Sequence, residues 1–208
     1  MVKILEIRPV RSQVCIVLNT GESFWLHQED LQDTGFTENA EIDSDSFFHW
    51  IRIRQYPRAL NLAVSMLARR PCSKGEIQQK LLHHRYTPEV TELVLFKLEK
   101  EKLVNDADFC DQWIRYRFGR RYGPSAISRE LRLKGIPEWM IQEALEKADP
   151  DESAYNAFSL ALKQWKKNGS GDNIYKTRQK IISFLVRKGY SWSAARDACM
   201  KAEQEIRK

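Results

Sequence analysis

Long apolar runs are absent from this 208-residue chain. The longest are only a few residues, such as Cys15-Ile16-Val17-Leu18, far below the roughly 20 that cross a bilayer. No basic segment followed by an apolar stretch opens the chain, so neither a membrane anchor nor a secretory signal is expected. Cysteine is scarce: Cys15, Cys72, Cys110 and Cys199 are scattered and form no CxxC pair. That spacing predicts reduced packing residues in a cytoplasmic protein. Histidine is equally scarce, and His83 and His84 are adjacent. On a helix they point about 100° apart and cannot share a tetrahedral metal site. Gly119-Arg120-Arg121-Tyr122-Gly123-Pro124-Ser125 carries glycine but not the GxxxxGK[ST] pattern of a phosphate loop. No serine or cysteine has a local base partner. The reading is a protein without catalytic residues, metal or cofactor.

What is present is an internal repeat. Ile77–Leu81–Tyr86 precedes Thr87-Pro88-Glu89-Val90. Ile127–Leu131–Ile136 precedes Pro137-Glu138-Trp139-Met140. Ile181–Leu185–Tyr190 precedes Ser191-Trp192-Ser193-Ala194. Each time the phase is apolar, four on, apolar, five on, apolar, then a helix-start residue. Offsets of about 50 residues suit three-helix units. A chain of tandem helical modules presents an extended surface to a large partner more readily than one deep pocket.

Local signals divide the modules into helices. A first helix over about Arg58 to Arg69 carries Leu60, Ala63, Val64 and Leu67 on one face, and Pro71 stops it. Ser73-Lys74-Gly75-Glu76 reads as a capping box, and Thr87-Pro88 as a cap with proline in the first turn of a helix running to Lys102. The second module opens at Asn105-Asp106, with Phe109, Trp113 and Ile114 inward, and breaks at Gly123-Pro124. The third opens at Asp149-Pro150; its apolar face is Ala154, Ala157, Phe158, Ala161 and Trp165, and Lys167 to Asp172 forms a polar loop. Gly135 and Gly189 stand where a helix C-terminus wants a left-handed residue, and Arg85 replaces them in the first module. Leu81, Leu131, Leu185, Trp113 and Phe109 are assigned to the core.

The first 58 residues differ in kind. Val2 to Ile7, Val14 to Leu18 and Ser23 to Leu26 are strand-like, with a turn at Asn19-Thr20-Gly21-Glu22. The fold expected is therefore mainly α: three tandem three-helix repeats in an elongated array, with a small N-terminal β-hairpin extension. Its boundaries are 1–58 for the extension and a short helix, then 59–105, 106–148 and 149–208 for the repeats.

The net charge of +6 is unevenly placed, because residues 1–58 hold six basic and nine acidic groups. The repeat region is basic, and its partners are expected to be polyanionic or acidic. Arg115, Arg117, Arg120, Arg121, Arg129, Arg132 and Lys134 face one acid, Glu130, with Tyr116, Phe118 and Tyr122 among them. The planar arginine fork suits phosphate and carboxylate. A thinner set, Lys163, Lys166, Lys167, Lys176, Arg178 and Lys180, surrounds the third module's loop.

Four separated motifs then carry a resemblance. Leu103-Val104-Asn105-Asp106-Ala107-Asp108-Phe109-Cys110, with Trp113-Ile114-Arg115 and Arg117, resembles the central signature of the RecX family, as does Gly123-Pro124-Ser125-Ala126-Ile127-Ser128-Arg129-Glu130-Leu131-Arg132-Leu133-Lys134-Gly135-Ile136. Ala68 to Leu81 is similar to that family's opening motif, and Phe184-Leu185-Val186-Arg187-Lys188-Gly189-Tyr190-Ser191 to its closing one. Cys110 stands where alanine is usual, and Ile77 where leucine is common. The resemblance spans about Ala59 to Ala202. It implies a non-enzymatic regulator that binds the RecA–DNA filament and inhibits strand exchange, ATP hydrolysis and repressor cleavage, by blocking extension or promoting disassembly. The seven basic residues from Arg115 to Lys134 are the expected contact, DNA binding is expected to be weak and salt-dependent, and the chain is expected to be a monomer. The rival reading is a stand-alone helical DNA-binding module. The acid of its third helices, with Glu89, Glu92, Glu99 and Glu101 in one and Glu138, Glu143 and Glu146 in another, argues against groove insertion. A purely structural adaptor is a third reading.

Overall fold

One helix decides how the N-terminal region is built. The computed structural model describes residues 1–32, 34–168 and 173–207, the side chain of Asn168 aside. In it Asp43 caps a helix by accepting from the Ser46 N–H at 2.9 Å, and that helix, Ser44–Leu67, continues through Pro57. The separate helix expected from about Arg58 is thus the second half of a longer one. Proline inside a helix removes one hydrogen bond. Here Pro57 and Ile53, whose carbonyl loses its partner, both lie on the exposed side of the helix, so the break is cheap.

The chain divides into two compact units, Met1–Asn105 and Asp106–Lys208. In the first, strands β1 (Val2–Val10), β2 (Gln13–Leu18), β3 (Ser23–His27) and β4 (Glu41–Ile42) make an antiparallel sheet of order β3-β2-β1-β4, with the short helix α1 (Gln28–Leu31) between β3 and β4. The expected hairpin is therefore part of a four-stranded sheet. Val2, Ile4, Val14, Ile16, Leu18, Phe24 and Leu26 bury one face against Phe47 and Ile51 of the Ser44–Leu67 helix, α2. The outer edge of β1 is blunted: Glu38 Oε1 accepts the Ile7 N–H at 3.1 Å, and Pro9 has no N–H. Both devices discourage strand addition.

The second half of α2 is the first helix of module one. Ala59 and Ala63 pack on Ile77 and Leu81 of α3 (Lys74–His83) and on Val90, Val94 and Leu98 of α4 (Pro88–Lys100). The capping box forms: Ser73 Oγ accepts from the Glu76 N–H at 3.1 Å, and Glu76 accepts from the Ser73 N–H at 3.2 Å. Gln55, 2% exposed, ties sheet and module together. Its amide donates to the Trp25 carbonyl at 2.8 Å, while its carbonyl accepts from the Thr87 N–H at 2.9 Å.

Module two comprises α5 (Asp106–Gly119), α6 (Pro124–Leu133) and α7 (Glu138–Glu146). Module three comprises α8 (Pro150–Asn168), α9 (Ile174–Arg187) and α10 (Trp192–Ile206). The cores hold Phe109, Ile114, Phe118, Ile127, Leu131 and Ile141 in module two, and Ala161, Trp165, Ile181, Leu185 and Cys199 in module three. Leu81, Leu131, Leu185 and Phe109 are buried as expected. Ala154 is exposed instead, and buried Asn156 takes the inward place, donating to the Phe118 carbonyl at 3.1 Å. Within the polar loop expected from Lys167 to Asp172, Lys167 and Asn168 finish α8, and residues 169–172 lie outside the described residues. All four cysteines are buried. Burial pushes the Cys110 thiol up to about 11, so it packs as a neutral group. Among the described residues no helix is long and apolar enough to cross a membrane.

Candidate polyanion-binding surface

The basic stretch of module two does not form one face. At about 100° per residue, Trp113, Tyr116, Arg117 and Arg120 fall on one side of α5 and Arg115 on the other. Arg115 instead lines a cleft of about 210 Å³ with Asp111, Ile114, Ala144, Lys147 and Ala148. It is separated from the rest of the cluster.

The other side of α5 carries alternating rings and cations. Phe109 and Trp113 stack with centroids 6.0 Å apart, and Trp113 meets Tyr116 at 5.8 Å. Lys134 Nζ lies 4.1 Å from the Trp113 centroid, Arg120 Cζ 4.6 Å from Tyr116, and Arg117 Cζ 3.7 Å from Tyr122. Lys188, from module three, reaches the Tyr122 ring at 4.2 Å. A cation over an electron-rich ring gains roughly 0.5–1 kcal/mol at an exposed site. The greater consequence is order: long flexible side chains are held in one row, so binding an anion costs less side-chain entropy.

Glu130 organises that row. One carboxylate oxygen accepts from Trp113 Nε1 at 3.0 Å, and the other pairs with Arg117. The Arg117 side chain is only 15% exposed. Its Nε has no hydrogen-bond partner among the described residues, leaving the Tyr122 ring as the electron-rich surface beneath the guanidinium. Arg117 is thus an internal strut. Trp113, assigned to the core from its spacing, is only part-buried and belongs to the ladder. Phe118 is core at 3% exposure, whereas Tyr116 is 48% exposed. Arg132 is bidentate to Glu138, with Nη2 to Oε1 at 2.9 Å, and its hydrogen bonds hold the Glu138 carboxyl below the usual range. Arg121 and Arg129 are exposed and make no ion pair or ring contact among the described residues. In module three Arg178 is committed to Glu203, with Nη2 to Oε1 at 2.9 Å, which removes it from the thinner basic set.

Two contributors escaped the sequence reading. Lys188 is one, although the repeat points to it: Lys134-Gly135-Ile136 aligns with Lys188-Gly189-Tyr190, and both lysines lie over aromatic rings of module two. Glu130 is the other, because a lone acid in a basic run reads as dilution when it is the anchor.

The joint between modules two and three fixes Lys188 in place. Gly123 is the N-cap of α6 with no side-chain cap; the orphan N–H groups go to the other module. Gly123 donates to the Lys188 carbonyl at 2.9 Å and Ser125 to the Gly189 carbonyl at 3.0 Å. A Cβ on Gly123 would lie 2.4 Å from the Gly189 carbonyl carbon, so glycine is required by close approach. Tyr190 Oη donates to the Arg121 carbonyl at 3.2 Å, and burial lifts its phenol to about 12, keeping that proton in place.

Replacing Glu130 with Gln separates order from bulk charge. The variant gains one net positive charge, so charge alone would tighten binding to a single-stranded oligonucleotide. The loosened Arg117 and Trp113 are instead expected to weaken it about threefold or more, with about 1–2 kcal/mol lost from folding stability. Fluorescence anisotropy and denaturant unfolding measure both, and tighter binding would refute the organising role of Glu130.

Among the described residues no group of three His, Cys, Asp or Glu side chains is placed to hold a metal. The surface is a row of oriented cations over rings, suited to phosphate or carboxylate.

Comparison with known proteins agrees with the repeat. Residues 59–98, 105–145 and 151–199 match the models of the first, second and third three-helix domains of RecX. The chain is 31% identical over 144 residues to the regulatory protein RecX of Mycolicibacterium smegmatis, covering 67% of this chain and 77% of the relative. It is 30% identical over 132 residues to that of Actinobacillus pleuropneumoniae, covering 64% and 84%. A crystal structure of a regulatory protein RecX superposes with a TM-score of 0.63 at 25% identity, over 93% of this chain and 97% of the other. With its three modules in order and its relatives covered over most of their length, the chain belongs to the RecX family of regulatory proteins.

Proposed function

We propose that this protein is a non-enzymatic regulator of RecA. It binds the RecA–DNA filament and inhibits recombinase, ATPase and coprotease activities by blocking extension or promoting disassembly. Family membership carries this reading. The ladder of module two supports it, because oriented cations without a pocket suit contact with DNA phosphate or acidic groove side chains. Arg120, Arg121, Arg129 and Lys134 supply that contact, Lys188 extends it, and Arg117 holds it in shape. Arg132, paired with Glu138, and Arg115, on the far side of α5, lie outside it. Contact through several weak sites on successive modules gives affinity by multivalency. The protein acts in the cytoplasm as a monomer, needs no cofactor, and touches free DNA only weakly.

The stand-alone DNA-binding reading gains no support from module two, whose third helix, α7, presents exposed Glu138, Glu143 and Glu146. Affinity for a RecA–single-stranded-DNA filament at physiological salt is expected to exceed that for the same DNA without RecA by at least about tenfold. Equal affinities by anisotropy or sedimentation would return the protein to the DNA-binding class.

A further inference from the structure

The turn between the second and third helix of each module occurs three times with one backbone. Arg85, Gly135 and Gly189 all have positive φ, at 67°, 77° and 96°. The same hydrogen bond closes each turn: Tyr86 to Leu81, Ile136 to Leu131 and Tyr190 to Leu185, at 3.2, 3.1 and 3.2 Å. Two of these turns are met by another part of their own unit. In module three, Gly189 is buried under the first turn of α6. In module one, the β3 residue Trp25 lies 5.3 Å from the Arg85 guanidinium, and Gln55 binds the neighbouring Thr87 N–H.

At Gly135 of module two no such cover comes from the described residues of its own unit. Gly135 is exposed, its flanking residues Leu133 and Trp139 are 73% and 63% exposed, and among the described residues no N–H donates to the Gly135 carbonyl. Arg132 and Glu138 pair beside it. Large apolar side chains around an ion pair, in an exposed setting, have the makeup of a binding hot spot.

We propose that this turn receives the N-terminal end of a helix from a protomer of the RecA filament, a reading that rests on the function proposed above. The molecule itself shows the occupant's chemistry. In module three the partial positive end of α6 meets the partial negative end of α9, with Gly123 and Ser125 N–H groups donating to the Lys188 and Gly189 carbonyls. The end of α6 offers the same partial negative charge at Gly135, complementary to a helix N-terminus. Leu133 and Trp139 add exposed apolar contact on either side of it.

The test is the double variant Leu133→Ser, Trp139→Ala in the full chain, which leaves the net charge unchanged. Both side chains are exposed, so thermal unfolding is expected to be unchanged; should it shift, Leu133→Ser alone carries the same test. Affinity for a RecA–single-stranded-DNA filament is expected to fall at least about tenfold, with affinity for the bare oligonucleotide unchanged. Unaltered filament affinity in a folded variant overturns the docking site and leaves the regulator reading standing. Failure of the unmodified protein to bind filament overturns both. Self-association of the unmodified protein, lost in the variant by sedimentation, would assign the turn to a second copy of this chain and overturn the RecA occupant.

Discussion

Gly189→Ala is expected to be among the most damaging single-methyl changes in this protein. A Cβ there would lie 2.3 Å from Ala126 Cβ and 2.4 Å from the Ala126 nitrogen, and the residue has φ of +96°. Overpacking and left-handed strain together are expected to cost about 3–5 kcal/mol. In a unit of this size that lowers the melting temperature by roughly 10 °C or more. Gly119→Ala is the control, because nothing lies within 4 Å of that position and its stability should hold or rise slightly. Thermal unfolding by circular dichroism measures both. A Gly189→Ala protein within about 0.5 kcal/mol of the unmodified chain would mean that the joint is looser than its geometry. The damage should reach function too, since the joint places Lys188 over Tyr122.

Reversing charge at Arg120 and Arg121 together is expected to lower filament affinity at least about tenfold at low salt, with the loss shrinking as salt rises. Both side chains are exposed, and Tyr190 contacts only the backbone of Arg121, so folding should survive. Arg115→Glu supplies the contrast. In the sequence it belongs to the same cluster, but in the structure it lies on the opposite side of α5 in a cleft with Asp111 and Lys147, and little change is expected. Unchanged inhibition by a folded Arg120→Glu, Arg121→Glu protein would remove the ladder from the binding surface. Equal losses for Arg115→Glu would show that net charge, and not arrangement, governs binding.

The repeat was legible because helix periodicity and capping are local. Ile77–Leu81, Ile127–Leu131 and Ile181–Leu185 are buried in their cores, and the Ser73–Glu76 box forms as written. What the sequence obscured depends on packing. The helix start expected near Arg58 falls inside a continuous helix, with Pro57 on its exposed side. Gly123 reads as a chain break, yet it is also where module two meets module three, against Gly189 more than 60 residues on. Seven basic residues read as one cluster because sequence proximity hides rotation around α5 and the acids that two of the arginines find. Arg117 finds Glu130, and Arg132 finds Glu138. Arg85 posed its own question, and it adopts the left-handed conformation outright, with its guanidinium 5.3 Å from the Trp25 ring.

The most direct measurement is the single-stranded-DNA-dependent ATPase of RecA with this protein titrated below RecA's concentration. A filament regulator that blocks growing ends or promotes disassembly inhibits at substoichiometric ratio, because one molecule silences many protomers. No inhibition even at excess, together with tight binding to bare DNA, would contradict the assignment.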